Sequence, residues 1–295
     1  MAKRYSGIYA AVLTPFVDDE VALDHFRANI HKFNATGLTG YVILGSTGEC
    51  VSITDDESAA LVKTAREAAA PGKTVIVGTA RESTRLTIDF TKRMADLGAE
   101  TALLRTPSYF KGKMTRDVLK AYYLEVADHS PIPVIIYNVP QNTGITLEGP
   151  MIIELSAHPN IAGLKESGGN IIMAGELIPR LPADFSYLLG HGSAFLPALL
   201  MGASGAILAV ANAAPALSVE IYDLFRAGKI EAAARRQLDL IPLNKAVMET
   251  YGIPGLKYAL DLQGWYGGPA RRPLLPIDDK AKAEIKTRLQ ALGLA

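Results

Sequence analysis

The chain has 295 residues, 49% of them hydrophobic, and its 30 basic residues balance 30 acidic ones. That balance excludes a polybasic binder of nucleic acid or of a membrane surface. The single cysteine, Cys50, excludes an intramolecular disulfide and suits a reducing, cytoplasmic compartment.

In chain order, the N-terminal Met1-Ala-Lys-Arg-Tyr-Ser-Gly7 has two basic residues but no long apolar stretch behind them. The run Ile8–Phe16 lacks a small-residue cleavage signal and leads into Asp18, Asp19 and Glu20, so no signal peptide is read. Short uncharged runs then alternate with helical patterns. Ile8–Leu13 precedes a helix over Asp24–Thr36, with Phe26, Ile30 and Phe33 on one face. Tyr41–Leu44 precedes Thr54-Asp-Asp-Glu57, a capping box opening a helix through Ala70. Thr74–Val77 precedes a helix capped by Ser83 or Thr84, with Ile88, Met94 and Leu97 as its apolar residues. Thr101–Leu104, Val134–Tyr137 and Ile161–Leu164 precede helices at Thr115–Asp128, Gly149–Ala157 and Asn170–Arg180. Ser186–Leu189 and Ala206–Ala209 precede Phe195–Met201 and Pro215–Ala227.

Continuous apolar runs indicate strands buried on both faces, as in a parallel sheet. Eight such units predict a closed (β/α)₈ barrel; an open doubly wound sheet would show fewer. Beyond Ala227 only helices are read, at Ile230–Thr250, Pro254–Leu262 and Asp278–Leu292, with a loop at Gly264–Pro269. The expected organisation is a barrel over 1–227 and a helical extension over 228–295, packed together as one unit. Residues Gly192–Val219 carry no charge, but Pro197, Gly202, Gly205 and Pro215 interrupt them. They read as barrel core, and no membrane span is expected.

Active sites of parallel barrels lie at the C-terminal ends of the strands. The second run leads into Gly45-Ser-Thr-Gly-Glu49 and the fourth into Thr106-Pro-Ser-Tyr-Phe110. The fifth delivers Tyr137, then Asn138-Val-Pro-Gln-Asn-Thr-Gly144. The sixth delivers Lys165, then Glu166-Ser-Gly-Gly169, and the seventh Gly190-His-Gly192. If the fifth and sixth runs are neighbours, the Lys165 amine and the Tyr137 phenol emerge side by side. A desolvated lysine beside a phenolic proton donor is the machinery of Schiff-base chemistry. Taken singly, Lys165 is also readable as a surface lysine paired with Glu166, and Tyr137 as one of 12 tyrosines filling the barrel. Ser46 and Thr47 either cradle a carboxylate with their N–H groups and hydroxyls or simply cap a helix. Tyr109 either relays a proton or only packs. Histidines 25, 31, 129, 158 and 191 form no ligand-spaced pair, so no metal is expected. No Walker motif or Gly-x-Gly-x-x-Gly follows a strand, so no nucleotide cofactor is expected. Cys50 reads as a small buried residue.

Together, Gly45-Ser-Thr-Gly-Glu49, Tyr137-Asn-Val-Pro140 and Gly163-Leu-Lys-Glu-Ser167 resemble the dihydrodipicolinate synthase/N-acetylneuraminate lyase family. Its members are class I pyruvate aldolases on (β/α)₈ barrels, and the resemblance runs over nearly the whole chain. It implies a Schiff base between Lys165 and the keto carbon of pyruvate, with no other cofactor. It implies that Tyr137 is the general acid/base and that Ser46 and Thr47 hold the pyruvate carboxylate. It implies that Tyr109 is lent to a neighbouring subunit's site, that Ile207 contacts the keto acid through its backbone, and that the chain forms homotetramers or homodimers. The partners implied are pyruvate and an aldehyde.

Synthases of the lysine pathway usually carry Arg where this chain has Asn142. That loop resembles 4-hydroxy-2-oxoglutarate aldolase instead. So do Lys165-Glu-Ser-Gly-Gly169, His158-Pro-Asn-Ile161, Ser130-Pro-Ile-Pro133, Gly252-Ile-Pro-Gly-Leu-Lys257 and Tyr266-Gly-Gly-Pro269. Thr47 follows the synthase pattern. A neutral amide recognises carboxylate less strongly than a guanidinium. The expectation is therefore cleavage of 4-hydroxy-2-oxoglutarate to pyruvate and glyoxylate, with Tyr137 taking the 4-hydroxyl proton. Asn142 and Ser167 would hold the distal carboxylate. The first alternative is 4-hydroxy-tetrahydrodipicolinate synthase, which joins pyruvate to aspartate semialdehyde. The second is a barrel that binds a keto acid without turnover, which would need no nucleophilic lysine.

Overall fold

The computed structural model describes residues 3–295; Met1 and Ala2, at the head of the basic N-terminal segment, lie outside the described residues. Ten strands occur: β1 (Gly7–Ala11), β2 (Phe16–Val17), β3 (Glu20–Val21), β4 (Gly40–Ile43), β5 (Thr74–Gly78), β6 (Thr101–Arg105), β7 (Val134–Asn138), β8 (Ile161–Glu166), β9 (Ser186–Leu189) and β10 (Gly205–Leu208). Eight close into a barrel in the order β1-β10-β9-β8-β7-β6-β5-β4, while β2 and β3 form a separate pair. All barrel pairs are parallel. This is the expected (β/α)₈ architecture, and its cause is burial on both strand faces. Alternate residues such as Val42, Ile76, Leu103, Ile135, Leu188 and Ile207 fill the interior, and the rest pack against the helices.

One irregularity positions the chemistry. Val134 pairs with Ile161, but Ile135 pairs with Gly163, so β8 carries one extra residue. Without that bulge Leu164 would lie opposite Tyr137. With it Lys165 does, because a one-residue slip exchanges the faces of a strand. Gly163 permits the close packing beyond it: a Cβ there would lie 2.6 Å from the Ser186 carbonyl oxygen of β9.

The helices follow the caps read from the sequence. Thr54 and Glu57 form the capping box of Asp55–Ala68, and Ser83 caps Thr84–Asp96. Thr115, Asn170 and Asp278 cap the helices that follow them. Four details differ from the sequence reading. The strand carrying Lys165 continues through Glu166, so the lysine sits within β8 rather than beyond it. The β2–β3 hairpin was not anticipated. It turns at Asp18 and Asp19, both with positive φ, where aspartate is tolerated. A short helix, Pro140–Thr143, follows β7. The expected helix Ile230–Thr250 is α-helical only to Asn244 and then widens into a π-helix, Lys245–Thr250. Among the described residues, no helix is long and apolar enough to cross a membrane.

The C-terminal segment is tied to the barrel by charge as well as apolar packing. Arg271 forks onto Glu57, with Nη2–Oε1 at 2.6 Å and Nη1–Oε2 at 2.9 Å. The guanidinium holds the Glu57 carboxyl at about 2, well below its ordinary 4.5. The folded-state value lies below the unfolded one. The stabilisation is therefore complete above about 4.5 and fades as pH falls toward 2. Arg271→Met should lower stability at pH 7 by on the order of 2 kcal/mol in urea unfolding. The gap from wild type should narrow as pH is lowered from 4.5. A gap that stays constant over that range would refute the assignment.

Candidate active site

Alternation along parallel strands decides which groups enter the barrel mouth. Tyr137 is two residues beyond the inward Ile135, and Lys165 is two beyond Gly163, which pairs with Ile135. Tyr137 and Lys165 are direct register partners. Their side chains meet in a chamber of about 490 Å³, which Ser46, Thr47, Asn142, Ser167 and Ile207 also line. Lys165 is 3% exposed, and its Nζ stands 4.2 Å from the centre of the Tyr137 ring. Ser46 Oγ lies 3.5 Å from Tyr137 Oη. Gly190 closes the floor. A Cβ there would meet Ser167 Oγ at 1.9 Å and Lys165 Cε at 3.1 Å, so the lysine stem runs where only glycine leaves room.

The Gly45–Glu49 loop is a tight turn, with Gly48 N–H donating to Gly45 O and Glu49 N–H to Ser46 O. The Thr14 hydroxyl donates to Gly48 O from the other side. The Ser46 and Thr47 N–H groups meet no protein acceptor among the described residues. An anion at this turn would find unused donors.

The outward-facing neighbours of the central pair form a second, supporting layer. Glu166 points away from the chamber and accepts from Gly168 N–H at 2.6 Å and Gly169 N–H at 3.0 Å. Asn138 donates to Glu166 and accepts from Leu147 N–H. Burial pushes the Glu166 carboxyl up, against the pull of those donors. Glu166 is therefore a scaffold for the loop bearing Ser167 and is not the partner of Lys165. Gln141 reinforces that loop by donating to Ser167 O at 3.1 Å.

Tyr109 is the one predicted residue that the chamber does not gather. It is 80% exposed and lines the outer mouth with Ser46 and Asn142. A proton relay from Tyr137 to Tyr109 within one chain is not formed, because the loop after β6 carries the ring outward. Glu82 fixes that loop. One carboxylate oxygen accepts from Ser108 N–H at 2.8 Å and Tyr109 N–H at 2.9 Å, and the other accepts from Arg105 at 2.8 Å. Burial alone would raise the Glu82 carboxyl, but the Tyr109 N–H, the Arg105 guanidinium and the Ser108 N–H together hold it below its ordinary range. Cys50 is half-buried, and burial pushes its thiol up.

Two contributions escaped the sequence reading. The π-helix and its continuation place Met248, Glu249, Thr250 and Tyr251 on the chamber wall, and Leu274 and Leu275 complete it. No local motif signals this, although wide helical turns are common at functional sites. Arg105, the last residue of β6, belongs to no sequence motif. Its signal was its place two residues beyond the inward Leu103. Replacing Glu82 by Gln should loosen the Tyr109 loop without unfolding the barrel. Amide exchange at Ser108 and Tyr109 should then speed up by at least about tenfold. Unchanged exchange would show that Glu82 does not hold the loop.

Residues 4–292 match the family model described as the dihydrodipicolinate synthetase family. The chain is 35% identical over 288 residues to a 4-hydroxy-tetrahydrodipicolinate synthase of an Exiguobacterium strain, covering 97% of each. It is 35% identical over 293 residues to the synthase of the same name from Methanothrix thermoacetophila, covering 98% and 97%. Among solved structures, it superposes with a TM-score of 0.95 on dihydrodipicolinate synthase from Cyanidioschyzon merolae with lysine bound, at 28% identity, covering 99% and 100%. The Acinetobacter baumannii synthase complexed with pyruvate gives a TM-score of 0.92 at 28% identity, covering 98% and 99%. These relatives carry the synthase name, not the 4-hydroxy-2-oxoglutarate aldolase name toward which the Asn142 loop pointed. The chain is an enzyme, a lyase, and it belongs to the dihydrodipicolinate synthetase family.

Proposed function

We propose that this lyase forms an imine between Lys165 and pyruvate and joins the resulting enamine to aspartate semialdehyde. The observation that carries the imine is the buried Lys165 amine 4.2 Å from the Tyr137 ring in one chamber. The names of the relatives support the choice of aldehyde. Pyruvate would place its carboxylate on the free N–H groups of Ser46 and Thr47. Its carbonyl carbon would then face Lys165 Nζ. Attack by the neutral amine forms a C–N bond, and Tyr137 gives its proton to the carbonyl oxygen. The adduct's ammonium nitrogen passes one proton through Tyr137 to that oxygen, so water leaves and the cationic imine remains beside the Tyr137 phenolate. The cationic imine draws electrons from C3, which loses a proton to that phenolate to become the nucleophilic enamine. Its attack on the aldehyde carbon makes an alkoxide, which Tyr137 protonates. Water or the partner's own amine then displaces Lys165. No other cofactor enters.

A second reading uses the same imine in reverse, cleaving 4-hydroxy-2-oxoglutarate to pyruvate and glyoxylate. Asn142, a neutral amide on the chamber wall, favours it. In that direction Tyr137 takes the 4-hydroxyl proton while electrons flow into the imine. A cytoplasmic location fits the lone, half-buried thiol.

The chain is further proposed to work as a homotetramer or homodimer in which Tyr109 reaches a neighbouring subunit's chamber. Tyr109 and Phe110 form an exposed edge-on aromatic pair, and Ile172, Leu200 and Met201 are exposed large apolar side chains as well. Sedimentation should give a multiple of the 31.5 kDa chain mass. A monomer at working concentration would remove Tyr109 from the mechanism.

Borohydride in the presence of pyruvate should leave an irreversible adduct seen by intact mass. Lys165→Ala should abolish both the adduct and turnover with either aldehyde. Tyr137→Phe should retain a slowly formed adduct and lose roughly 10²–10³-fold in turnover. Near-normal turnover by Lys165→Ala would overturn the proposal. Absence of any adduct in wild type would point to a keto-acid binder without turnover. Comparing aspartate semialdehyde addition with 4-hydroxy-2-oxoglutarate cleavage selects between the two readings.

A further inference from the structure

We infer that Arg105 is the specificity residue of this site, holding the distal carboxylate of the second substrate; the inference rests on the imine reading above. Arg105 ends β6 directly opposite Tyr137, which in turn pairs with Lys165. Leu103 faces the barrel interior, so alternation turns Arg105 inward as well. An arginine aimed into a barrel mouth is costly unless it meets an anion, and Glu82 meets one edge of this one.

Its protein partners use only part of the guanidinium. Nη1 donates to Glu82 Oε1 at 2.8 Å and to Thr106 O at 3.0 Å. Nε and Nη2 donate to no protein group among the described residues. The guanidinium borders a cavity of about 250 Å³ that also reaches Ser46 and Tyr137, both of which line the Lys165 chamber. Ser46 and Tyr137 thus form walls of both spaces.

The charges of the mouth point the same way. Among the described residues the Lys165 chamber is lined by no cation except Lys165 itself, and Glu249 lies on its wall. A second carboxylate entering there is repelled by Glu249 and finds only neutral polar groups such as Asn142 and Ser167. The other guanidinium on the cavity, Arg81, is committed to Asp55 at 2.7 Å and stacked on Phe90. Glu82 is saturated by Arg105 and two backbone N–H groups, so it orients the guanidinium and leaves the other edge of the fork free. The geometry thus fits an aldehyde or keto acid that carries a carboxylate at its far end.

The test compares three keto acids that can all form an imine with Lys165: pyruvate, 2-oxoglutarate and its uncharged-tail analogue 2-oxopentanoate. For each, the concentration giving half-maximal borohydride adduct is read by intact mass. Wild type should take 2-oxoglutarate at lower concentration than 2-oxopentanoate. Arg105→Met should raise the 2-oxoglutarate value roughly 10- to 100-fold. It should leave pyruvate and 2-oxopentanoate within about twofold, and Arg105→Lys should fall between, since a point charge lacks the fork. An equal rise for all three, reproduced by Glu82→Gln, would overturn the inference and make Arg105 a support of the Tyr109 loop. Equal wild-type values for the two five-carbon acids would also overturn it. No adduct with any of the three, pyruvate included, would instead refute the imine reading.

Discussion

Lys257 and Glu49 meet at 2.7 Å with each side chain 1% exposed. Two charges taken out of water are tolerated only when each remaining donor and acceptor is used. Lys257 also donates to Thr14 O and Pro269 O, and the second Glu49 oxygen accepts from Arg271 N–H. Burial pushes the Lys257 amine down while Glu49 pulls it up, so each charge depends on the other. Removing one partner of such a pair typically costs about 3–5 kcal/mol. Glu49 ends the loop that carries Ser46 and Thr47 and holds a left-handed backbone with φ 57°. The ion pair ties this turn to a lysine of the C-terminal helices.

The mouth is built in two layers by the alternation of β6, β7 and β8. Inward residues meet at the mouth: Arg105, Tyr137 and Lys165 stand in one register row. The next residues along β7 and β8, Asn138 and Glu166, turn outward and hydrogen-bond to each other and to the loops beyond. Glu82 plays the corresponding part beside β6. Tyr137 and Lys165 are thus fixed by rigid strands, and carboxylates pin the loops beyond by accepting backbone N–H groups: the buried Glu166 beyond β8 and the exposed Glu82 beside β6. Such charge-assisted hydrogen bonds are shorter and about twice as strong as neutral ones.

Electrostatic division follows from this layout. Ser46 and Thr47 of the Gly45–Glu49 turn line the chamber with free N–H groups, and among the described residues the only carboxylate on its wall, Glu249, comes from the π-helix. Arg105 lines a cavity together with Ser46 and Tyr137. On the proposed reading, a substrate with two anionic ends would meet attraction at two places and repulsion at a third, which would orient it before any bond forms.

Much of this was legible in the sequence because strands buried on both faces must be continuous apolar runs, and helix starts carry their own caps. Those local rules placed all eight barrel strands to within two residues and brought Ser46, Thr47, Tyr137, Asn142, Lys165, Ser167 and Ile207 to one end. Tertiary structure alone decided the rest. The bulge in β8 that sets Lys165 opposite Tyr137 is a matter of register between chains of atoms 28 residues apart, which no local pattern records. The outward turn of Tyr109 depends on Glu82 from the preceding unit. The wall contributed by residues 248–254 depends on a buried ion pair closing across most of the chain. Sequence periodicity encodes which face of an element is apolar; it does not encode how far one element slides along the next, and at this mouth the chemistry lies in that offset.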